Sequence, residues 1–322
     1  MPPIIPACVC AHTMLKVCAH TRIIGVHPST SEGTLMSSSA TPATTPKVVL
    51  ITGTSSGIGL AAAVAAAGAG WRTVATLRDP GRADALRKAA AEAGVELDIR
   101  QLDVVDEASV TAAVEGVIAD HGRLDAVINN AGAGQLGTLE NQTVADVRRV
   151  MEVNFFGVLN VSKAAFPHLR ATGGRLITVT SVGGVVGQPF NEAYCAAKFA
   201  VEGYMESLAP VAASVGVSVS VVEPGAVATE FVNNVGLDLE AEIAAAGPYA
   251  PALDAYVNRT VARFLTGAQT QDEAAVAVLE ALTADRPAFR LQTSDWARDF
   301  TGMKLNDLDG SAVLGTTGGW VA

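Results

Sequence analysis

A strand, a glycine-rich turn and a helix follow one another at residues 48–68. The apolar run VVLI at 48–51 leads directly into TGTSSGIG at 52–59, and an alanine-rich stretch follows at 60–68. Glycines in such a turn let the backbone approach a pyrophosphate, and the start of the helix offers N–H groups and the positive end of its dipole. The spacing is G-x-x-x-G-x-G rather than G-x-G-x-x-G, so the prediction rests on the position of the turn between a strand and a helix. We expect these residues to bind a dinucleotide: Gly53, Ser55, Ser56, Gly57, Ile58 and Gly59.

The chain continues as an alternation of strands and helices. We predict further strands at 72–77, 97–102, 124–128, 175–180 and 217–222, and a short seventh strand at 289–292. The predicted helices lie at 82–93, 109–121, 141–169, 191–208 and 271–284, and Pro167 is expected to break the third of these. This alternation predicts an α/β fold with a doubly wound parallel sheet of the Rossmann type, in a single domain. Ligands of such sheets bind beyond the carboxyl ends of the strands, so the residues after each strand should face one crevice.

The end of the second predicted strand indicates which dinucleotide binds. An acidic residue at this place accepts from a free ribose 2′-hydroxyl, whereas an arginine suits a 2′-phosphate. Leu77 closes the strand and Arg78 follows it, which favours NADP(H) over NAD(H). Asp79 comes one residue later and favours the opposite preference, and the alternative is that Arg78 is only a surface charge. Further cofactor contacts are expected after other strands, at Asp103, Val104, Asn130, Ala131, Gly132, Pro224, Gly225 and Val227.

A tyrosine and a lysine stand four residues apart in the predicted helix NEAYCAAKFAVEGYMESL at 191–208. At this spacing Tyr194 and Lys198 share one helical face. An ammonium beside a phenol favours the phenolate, so we expect Lys198 to lower the pKa of Tyr194 and make it a proton donor and acceptor at a carbonyl. Taken alone, the pair is weak evidence, because a tyrosine and a lysine at this spacing more often lie on a solvated helix face. Cys195 lies between them and is interpreted as helix packing.

Composition and charge argue against several kinds of partner. The chain has 322 residues and a formal net charge of −10, which argues against nucleic acid or an anionic membrane surface. No apolar run reaches the roughly 18–20 residues that span a bilayer. Three of the four cysteines lie near the N-terminus, so no disulfide framework is expected and a cytoplasmic location is predicted. These three match no standard zinc spacing with the nearby histidines, so no metal site is predicted.

Three segments outside the predicted sheet differ in character. Residues 1–46 mix proline, serine and threonine with short apolar pieces, which predicts disorder. A targeting peptide is one reading of this segment, and a native start at Met36 after a non-native extension fits better. Residues 230–270 are too long for a simple connection and are predicted to form a helical lid over an apolar substrate. The segment 296–322 is a C-terminal tail for which the sequence indicates no function.

These motifs together resemble the short-chain dehydrogenase/reductase family. The resemblance covers about residues 47–295 and rests on TGxxxGxG at 52–59, NNAG at 129–132, a proline–glycine pair at 224–225, and single residues at the spacing of the family. Those residues are Asn154, Ser181, Tyr194 and Lys198. The segment 193–209 and the residues that close the second strand are most similar to the 17β-hydroxysteroid and retinol dehydrogenase branch.

The resemblance implies a catalytic tetrad and a role for each member. Tyr194 would exchange a proton with the substrate oxygen, Ser181 would hydrogen-bond that oxygen, and Lys198 would bind the nicotinamide ribose. Asn154 would hold a water that relays protons to Lys198, and Thr229 would contact the nicotinamide or the pyrophosphate. The implied function is hydride transfer between NADP(H) and a secondary alcohol or ketone of an apolar small molecule. Dimers or tetramers formed through the long helices are also implied.

Two other functions use related features. A non-catalytic NADP(H)-binding sensor would share the fold, but it would be expected to have lost part of the tetrad. A sugar-nucleotide epimerase shares the tyrosine–lysine pair, but it usually has a G-x-x-G-x-x-G turn and a larger C-terminal domain, and the sequence shows neither.

Overall fold

The computed structural model describes residues 45–228, 239–309 and 311–320. Seven parallel strands in these ranges form one sheet in the order β3-β2-β1-β4-β5-β6-β7. The strands are β1 (Val48–Thr52), β2 (Arg72–Leu77), β3 (Asp98–Gln101), β4 (Ala126–Asn129), β5 (Arg175–Val179), β6 (Ser218–Glu223) and β7 (Arg290–Gln292). The order of the strands reverses between β1 and β4, which is where ligands of doubly wound sheets bind.

The helices of the described ranges are α1 (Gly57–Gly68), α2 (Asp84–Ala93), α3 (Glu107–His121), α4 (Val144–Met151), α5 (Gly157–Thr172), α6 (Glu192–Ala213), α7 (Leu239–Ala245), α8 (Ala250–Gly267), α9 (Gln271–Thr283), α10 (Asp295–Leu305) and α11 (Ser311–Gly318). A five-residue π-helical segment, Glu152–Phe156, joins α4 to α5. None of these helices is both long enough and apolar enough to cross a membrane.

Alternate residues of β1 supply two separate cores, one on each face of the sheet. Val48 and Leu50 pack with apolar residues of α3, α5 and α6. Val49 and Ile51 pack on the other face with residues of α1 and α9. All four side chains are essentially fully buried. A strand that is apolar at every position is the pattern of a parallel sheet covered by helices on both faces.

The structure confirms the predicted doubly wound parallel sheet. Each predicted strand is present, and its ends differ from the prediction by a residue or two. The described part of the predicted lid is mainly helical. It contains α7 and α8, and α8 accounts for most of its length. The predicted extension at 1–46 lies outside the described residues except for its last two positions, and so does the lid segment 230–238.

The predicted helix break at Pro167 is wrong. Helix α5 continues through this residue to Thr172, although a proline lacks the N–H that would bond to the preceding turn. Ala165 and Leu169, on either side of Pro167, are both fully buried in the core. Burial of this face holds the helix to the sheet and offsets the loss of one backbone hydrogen bond. Helix α6 likewise passes Pro210 and ends later than predicted.

A third apolar cluster lies apart from the two faces of the sheet, and we call it the lid cluster. It joins the loop after β5 to α8, α10 and α11. Its buried members are Val182, Val186, Phe190, Ala246, Leu253, Tyr256, Ala297, Phe300, Val313 and Trp320. The C-terminal helices therefore form part of the structure that covers the carboxyl end of the sheet.

The central position of Leu50 leads to a prediction about stability. Truncation to alanine removes a side chain that is 0% exposed between α3, α5 and the sheet. We expect Leu50→Ala to lower the free energy of unfolding by about 2–5 kcal/mol. Leu308→Ala, at a leucine that is 99% exposed, is the matched control and should change it by less than about 0.5 kcal/mol. Urea unfolding followed by circular dichroism measures both, and equal effects would contradict the placement of Leu50 in the core.

Candidate active site

The turn after β1 lies against the loop after β4. Gly53 and Gly57 have φ of +69° and +61°, in the left-handed region that favours glycine. A Cβ on Gly53 would lie 2.7 Å from Ala131 Cα. A Cβ on Gly59 would collide with the side-chain amide of Asn130 and with the carbonyl of Gly53. Both residues therefore need to be glycine for the two loops to touch.

Thr52 and Asn130 tie these two loops together with hydrogen bonds. Thr52 Oγ1 accepts from the backbone N–H groups of Asn130 and Ala131, each at 3.0 Å. The Asn130 side-chain amide donates to the carbonyls of Thr52 and Gly53, also at 3.0 Å. The side chain of Asn130 thus holds the turn in place, and its loop can contribute to ligand binding through its backbone.

The start of α1 has the properties of a phosphate site. Ser56 precedes the helix with extended backbone and makes no side-chain cap, and the first turn carries no acidic residue. The positive end of the helix dipole is therefore not neutralised by the protein's own groups in this turn. These features and the close glycine turn fit the pyrophosphate of a dinucleotide cofactor.

Two cavities adjoin at this turn and contain most of the predicted site residues. A cavity of about 400 Å³ and one of about 1060 Å³ share Ser55, Ser56 and Gly132 in their walls. The smaller is also lined by Gly57, Ile58, Asn130, Ser181, Tyr194, Lys198, Pro224, Gly225 and Val227. The larger is also lined by Gly53, Arg78, Asp103, Val104 and Ala131. Gly59 and Asn154 are buried behind these walls, and Thr229 lies outside the described residues.

The end of β2 presents two arginines to the larger cavity. Arg78 and Arg82 both line it, and Arg82 ends the short 3-10 turn Pro80–Arg82. The Asp79 carboxylate also lies there, but it accepts a hydrogen bond from the backbone N–H of Gly81 at 2.9 Å and so caps that turn. The acidic residue that argued against a phosphate ligand is thus occupied within its own turn.

Tyr194 and Ser181 form a hydrogen-bonded pair in the wall of the smaller cavity. Ser181 follows β5, and its Oγ also accepts from the backbone N–H of Gly183 at 2.9 Å. Tyr194 lies in the first turn of α6. Burial raises the pKa of Tyr194 to about 12, and the hydrogen bond to Ser181 only partly opposes this effect. The phenol is therefore protonated at neutral pH.

Lys198 approaches Tyr194 but bonds elsewhere. Its side chain is 4% exposed, its Nζ donates to the Val179 carbonyl at 3.0 Å, and that nitrogen lies 5.8 Å from the centre of the Tyr194 ring. Burial lowers the pKa of Lys198 to about 8, although the carboxylate of Glu202 favours its charged form. The expectation that Lys198 lowers the pKa of Tyr194 is not met in this structure, because burial dominates at both residues.

Asn154 lies in the π-helical segment Glu152–Phe156 and is fully buried. Its Nδ2 donates to the Ala133 and Val150 carbonyls at 2.8 and 3.0 Å, and its Oδ1 accepts from the Ala133 N–H at 3.1 Å. A Cβ on Gly132 would lie 2.9 Å from that Oδ1 and 3.7 Å from Lys198 Nζ. Asn154 is thus close to the lysine and is fastened to the loop after β4.

A buried charge network continues from Lys198 along α6. Glu202, one turn further, is 3% exposed and pairs with Arg290 of β7 at 3.2 Å. Arg290 also pairs with Glu206 at 3.0 Å and with the fully buried Glu223 of β6 at 3.1 Å. Burial raises the pKa of Glu202 to about 7. The network connects α6 to the edge of the sheet.

Aromatic residues of the lid cluster form another wall of the smaller cavity. Tyr256, Trp296 and Trp320 line it together with Phe264. The ring of Trp296 lies against Gly225, where a Cβ would come within 2.9 Å of the ring. Tyr256 accepts from the side-chain amide of Asn191 at 2.8 Å, directly before α6. The lid cluster and Trp296, which packs against it, therefore contact both the Pro224–Gly225 loop and the start of α6.

Comparisons with known proteins agree with this geometry. The family model of the short chain dehydrogenases matches residues 47–240, and a model for the NAD(P)H binding domain of trans-2-enoyl-CoA reductase matches residues 12–80. The chain belongs to the short-chain dehydrogenase family. It is therefore an oxidoreductase that binds a nicotinamide dinucleotide and acts on CH–OH or carbonyl groups.

The relatives of this short-chain dehydrogenase place it in one branch of the family. It is 36% identical to retinol dehydrogenase 8 of Homo sapiens over 283 residues, which cover 85% of this chain and 90% of that protein. It is 39% identical to 17-beta-hydroxysteroid dehydrogenase type 1 of Homo sapiens over 273 residues, which cover 82% of each. A short-chain dehydrogenase of Streptomyces avermitilis has a similar structure, with a TM-score of 0.67 and 29% identity over 86% of this chain and 98% of that one.

Several residues of the dehydrogenase site were not predicted from the sequence. Arg82 and Glu202 lie in segments where a charged side chain is ordinarily expected to face solvent. The spacing of Glu202 four residues after Lys198 was the available signal for a shared helical face. Trp296 and Trp320 lie in the segment 296–322, for which the sequence indicates no function. Cys195, interpreted as packing, is buried, and burial raises its pKa to about 11.

The raised pKa of Glu202 predicts a dependence of stability on pH. Between the ordinary value of 4.5 and about 7, the folded protein keeps a proton that the unfolded chain has released. The free energy of unfolding of the wild type should therefore fall relative to that of Glu202→Gln as the pH rises through this window. We expect a relative change of about 1–3 kcal/mol in urea unfolding. Glu206→Gln, 62% exposed and also paired with Arg290, is the control and should run parallel to the wild type. A Glu202→Gln curve parallel to the wild type would contradict the assignment.

Proposed function

We propose that this short-chain dehydrogenase transfers a hydride between NADP(H) and a secondary alcohol or ketone of an apolar small molecule, with Tyr194 as proton donor and acceptor. The observation that carries the proposal is the hydrogen-bonded pair of Tyr194 and Ser181 in a cavity that also contains the glycine turn. The substrate oxygen and the cofactor can therefore share one enclosed space. The alternative of a non-catalytic NADP(H)-binding sensor is not favoured, since all four residues of the implied tetrad are retained at this site.

Each residue of the tetrad has a task that follows from its contacts. When bound, the cofactor supplies the hydride that adds to the carbonyl carbon in reduction. Tyr194 Oη donates its proton to the carbonyl oxygen, and the protonated phenol at neutral pH is the form that reduction requires. Ser181 Oγ, hydrogen-bonded to Tyr194, is placed to donate to the same oxygen and to stabilise its developing charge.

Lys198 and Asn154 support this proton transfer. A cation with a pKa of about 8 beside the ring favours the phenolate that remains after donation, and Lys198 can also bind ribose hydroxyls in the same cavity. The Asn154 side chain holds the Gly132 loop close to Lys198 through two hydrogen bonds with the backbone of Ala133. We retain a proton relay through Asn154 as part of the proposal.

Two observations support NADP(H) in preference to NAD(H). Arg78 and Arg82 face the larger cavity, and guanidinium groups suit a 2′-phosphate. The Asp79 carboxylate is engaged with Gly81, so it is less available for a ribose hydroxyl. The remaining predicted contacts, Thr229 included, are proposed as cofactor contacts on the strength of the family resemblance.

An apolar substrate is supported by the aromatic residues that line the smaller cavity and by the relatives, whose names refer to retinol and hydroxysteroids.

We also propose a cytoplasmic homo-oligomer. Apolar residues exposed on α6 and at the end of the π-helical segment support an interface there. On α6, Tyr204 is 44% exposed and Val211 is 63% exposed, and Phe156 of the π-helical segment is 44% exposed.

The role of Tyr194 can be tested by removing one hydroxyl. We expect Tyr194→Phe to reduce kcat for ketone reduction by about 10²–10⁴-fold, because the proton donor is lost, while the Kd of NADPH stays within about twofold. The measurement is NADPH consumption against a panel of ketones and aldehydes, with a fluorescence titration for the Kd. Tyr204→Phe, on the exposed face of the same helix, should retain wild-type turnover. Retained turnover in Tyr194→Phe would exclude the assigned role.

Cofactor preference gives a second test. Arg78→Ala and Arg82→Ala should each raise the Kd of NADPH by about 10–100-fold and leave that of NADH within about threefold, because each removes a charge-assisted contact with the 2′-phosphate. Arg87→Ala is the control on α2, where Arg87 pairs with Asp84 at the surface. An equal effect on the two cofactors would mean that neither arginine contacts the phosphate.

A further inference from the structure

Two arginines of the lid face the same cavity as Tyr194 and Ser181. Arg259 and Arg263 stand one turn apart on α8, and both line the cavity of about 400 Å³. Like charges at this spacing repel each other. Burial and the charge of Arg259 both lower the pKa of Arg263. The fold therefore holds two positive charges beside an otherwise aromatic wall.

Each arginine is positioned by a tryptophan. The guanidinium carbon of Arg263 lies 3.7 Å from the centre of the Trp296 ring, and that of Arg259 lies 5.2 Å from the centre of the Trp320 ring. Trp296 and Trp320 each stack on Phe300. Stacking orients a guanidinium and leaves its edge free for hydrogen bonds, but it does not neutralise the charge.

Arg263 is partly buried and Arg259 is exposed. Three other partly buried arginines of the described ranges have carboxylate partners, and a fourth, Arg175, donates to the Ala281 carbonyl. Arg290 contacts three, Arg100 contacts two, and Arg123 forms a pair with Asp125. Within the described ranges neither Arg259 nor Arg263 forms an ion pair. Arg263 Nε is buried there without an acceptor. A buried N–H donor without an acceptor costs free energy that an anionic ligand would recover.

We propose that Arg259 and Arg263 form an anion subsite for the substrate, which is then an apolar ketone or alcohol that carries a carboxylate or a similar anionic group. This inference rests on the proposed function, because it assigns the anion to the molecule that Tyr194 protonates. Planar carboxylates match the donor pattern of guanidinium groups. The phosphates of the cofactor have the same chemistry, and the experiment separates the two sources.

The test compares methyl-ketone fatty acids of increasing chain length with their methyl esters, using the purified enzyme and NADPH. The wild type should show the higher kcat/KM for the acids. The double variant Arg259→Gln/Arg263→Gln should lose about 10–100-fold in kcat/KM for the acids, remain within about threefold for the esters, and keep its Kd for NADPH. Arg259→Lys/Arg263→Lys keeps the charges and should retain part of the preference. The control Arg298→Gln removes an exposed arginine on α10 that pairs with Asp295.

Three results would overturn the proposal. An unchanged acid-to-ester ratio with a weaker Kd for NADPH would assign the pair to the cofactor. An unchanged acid-to-ester ratio with an unchanged Kd for NADPH would leave the two arginines with only a structural role, in which they stack on the tryptophans. A similar loss of kcat/KM for the acids and for the esters, together with a lower melting temperature, would also assign a structural role, provided that the lysine variant restores both activities equally.

A binding measurement keeps this test separate from the proposed function. Decanoate and decanol are titrated by calorimetry into the enzyme saturated with NADP⁺, so that no turnover is needed. Tighter binding of decanoate that the double glutamine variant loses would support the anion subsite even if no ketone is reduced. Equal binding of the two probes to the wild type would contradict it.

Discussion

The hydrogen bonds between Thr52 and the loop after β4 are the contacts on which the site depends. They join the ends of β1 and β4, which are neighbours in the sheet. Thr52 and Asn130 are nevertheless 78 residues apart in the sequence. Because β1 and β4 meet where the strand order reverses, this junction lies at the opening of the crevice. It places the turn and the loop so close that the turn requires glycine at Gly53 and Gly59. Residues of the turn and of the loop that meet at this junction line both cavities.

Burial, more than pairing, governs the protonation of the charged groups behind Tyr194. Lys198, Glu202 and Glu223 are all less than about 5% exposed, and in each the shift of the pKa favours the neutral form. Arg290 is the shared cation that makes the two carboxylates tolerable. Since it belongs to β7, the last strand of the sheet contributes to the environment of Lys198 without touching it.

The sheet follows from local patterns and was predictable, whereas the tetrad was implied by the family resemblance. Apolar runs of four to six residues, each followed by a polar or glycine residue, are direct signals of buried parallel strands. The continuation of α5 through Pro167 was not predictable in this way, because it depends on the burial of Ala165 and Leu169 against distant elements. The pKa of Tyr194 and the lid contacts of Trp296 and Trp320 likewise depend on tertiary packing. Spacing along a helix shows which side chains are near each other, but not how much water remains between them.

The π-helical segment at Asn154 also sets the rotation of the helix that follows it. One extra residue in a turn sets the side chains that follow back by about 100° relative to an uninterrupted α-helix. The apolar residues of α5 that reach the core, such as Val158, Val161 and Ala165, are therefore out of phase with Val150 of α4. The segment absorbs this extra residue, so deletion of a single residue from Glu152–Phe156 would restore a regular α-helix in which that stripe still faces the sheet. The packing of α5 therefore tolerates one residue fewer in this segment, and a one-residue alignment gap placed inside it would keep the same face of α5 in the core.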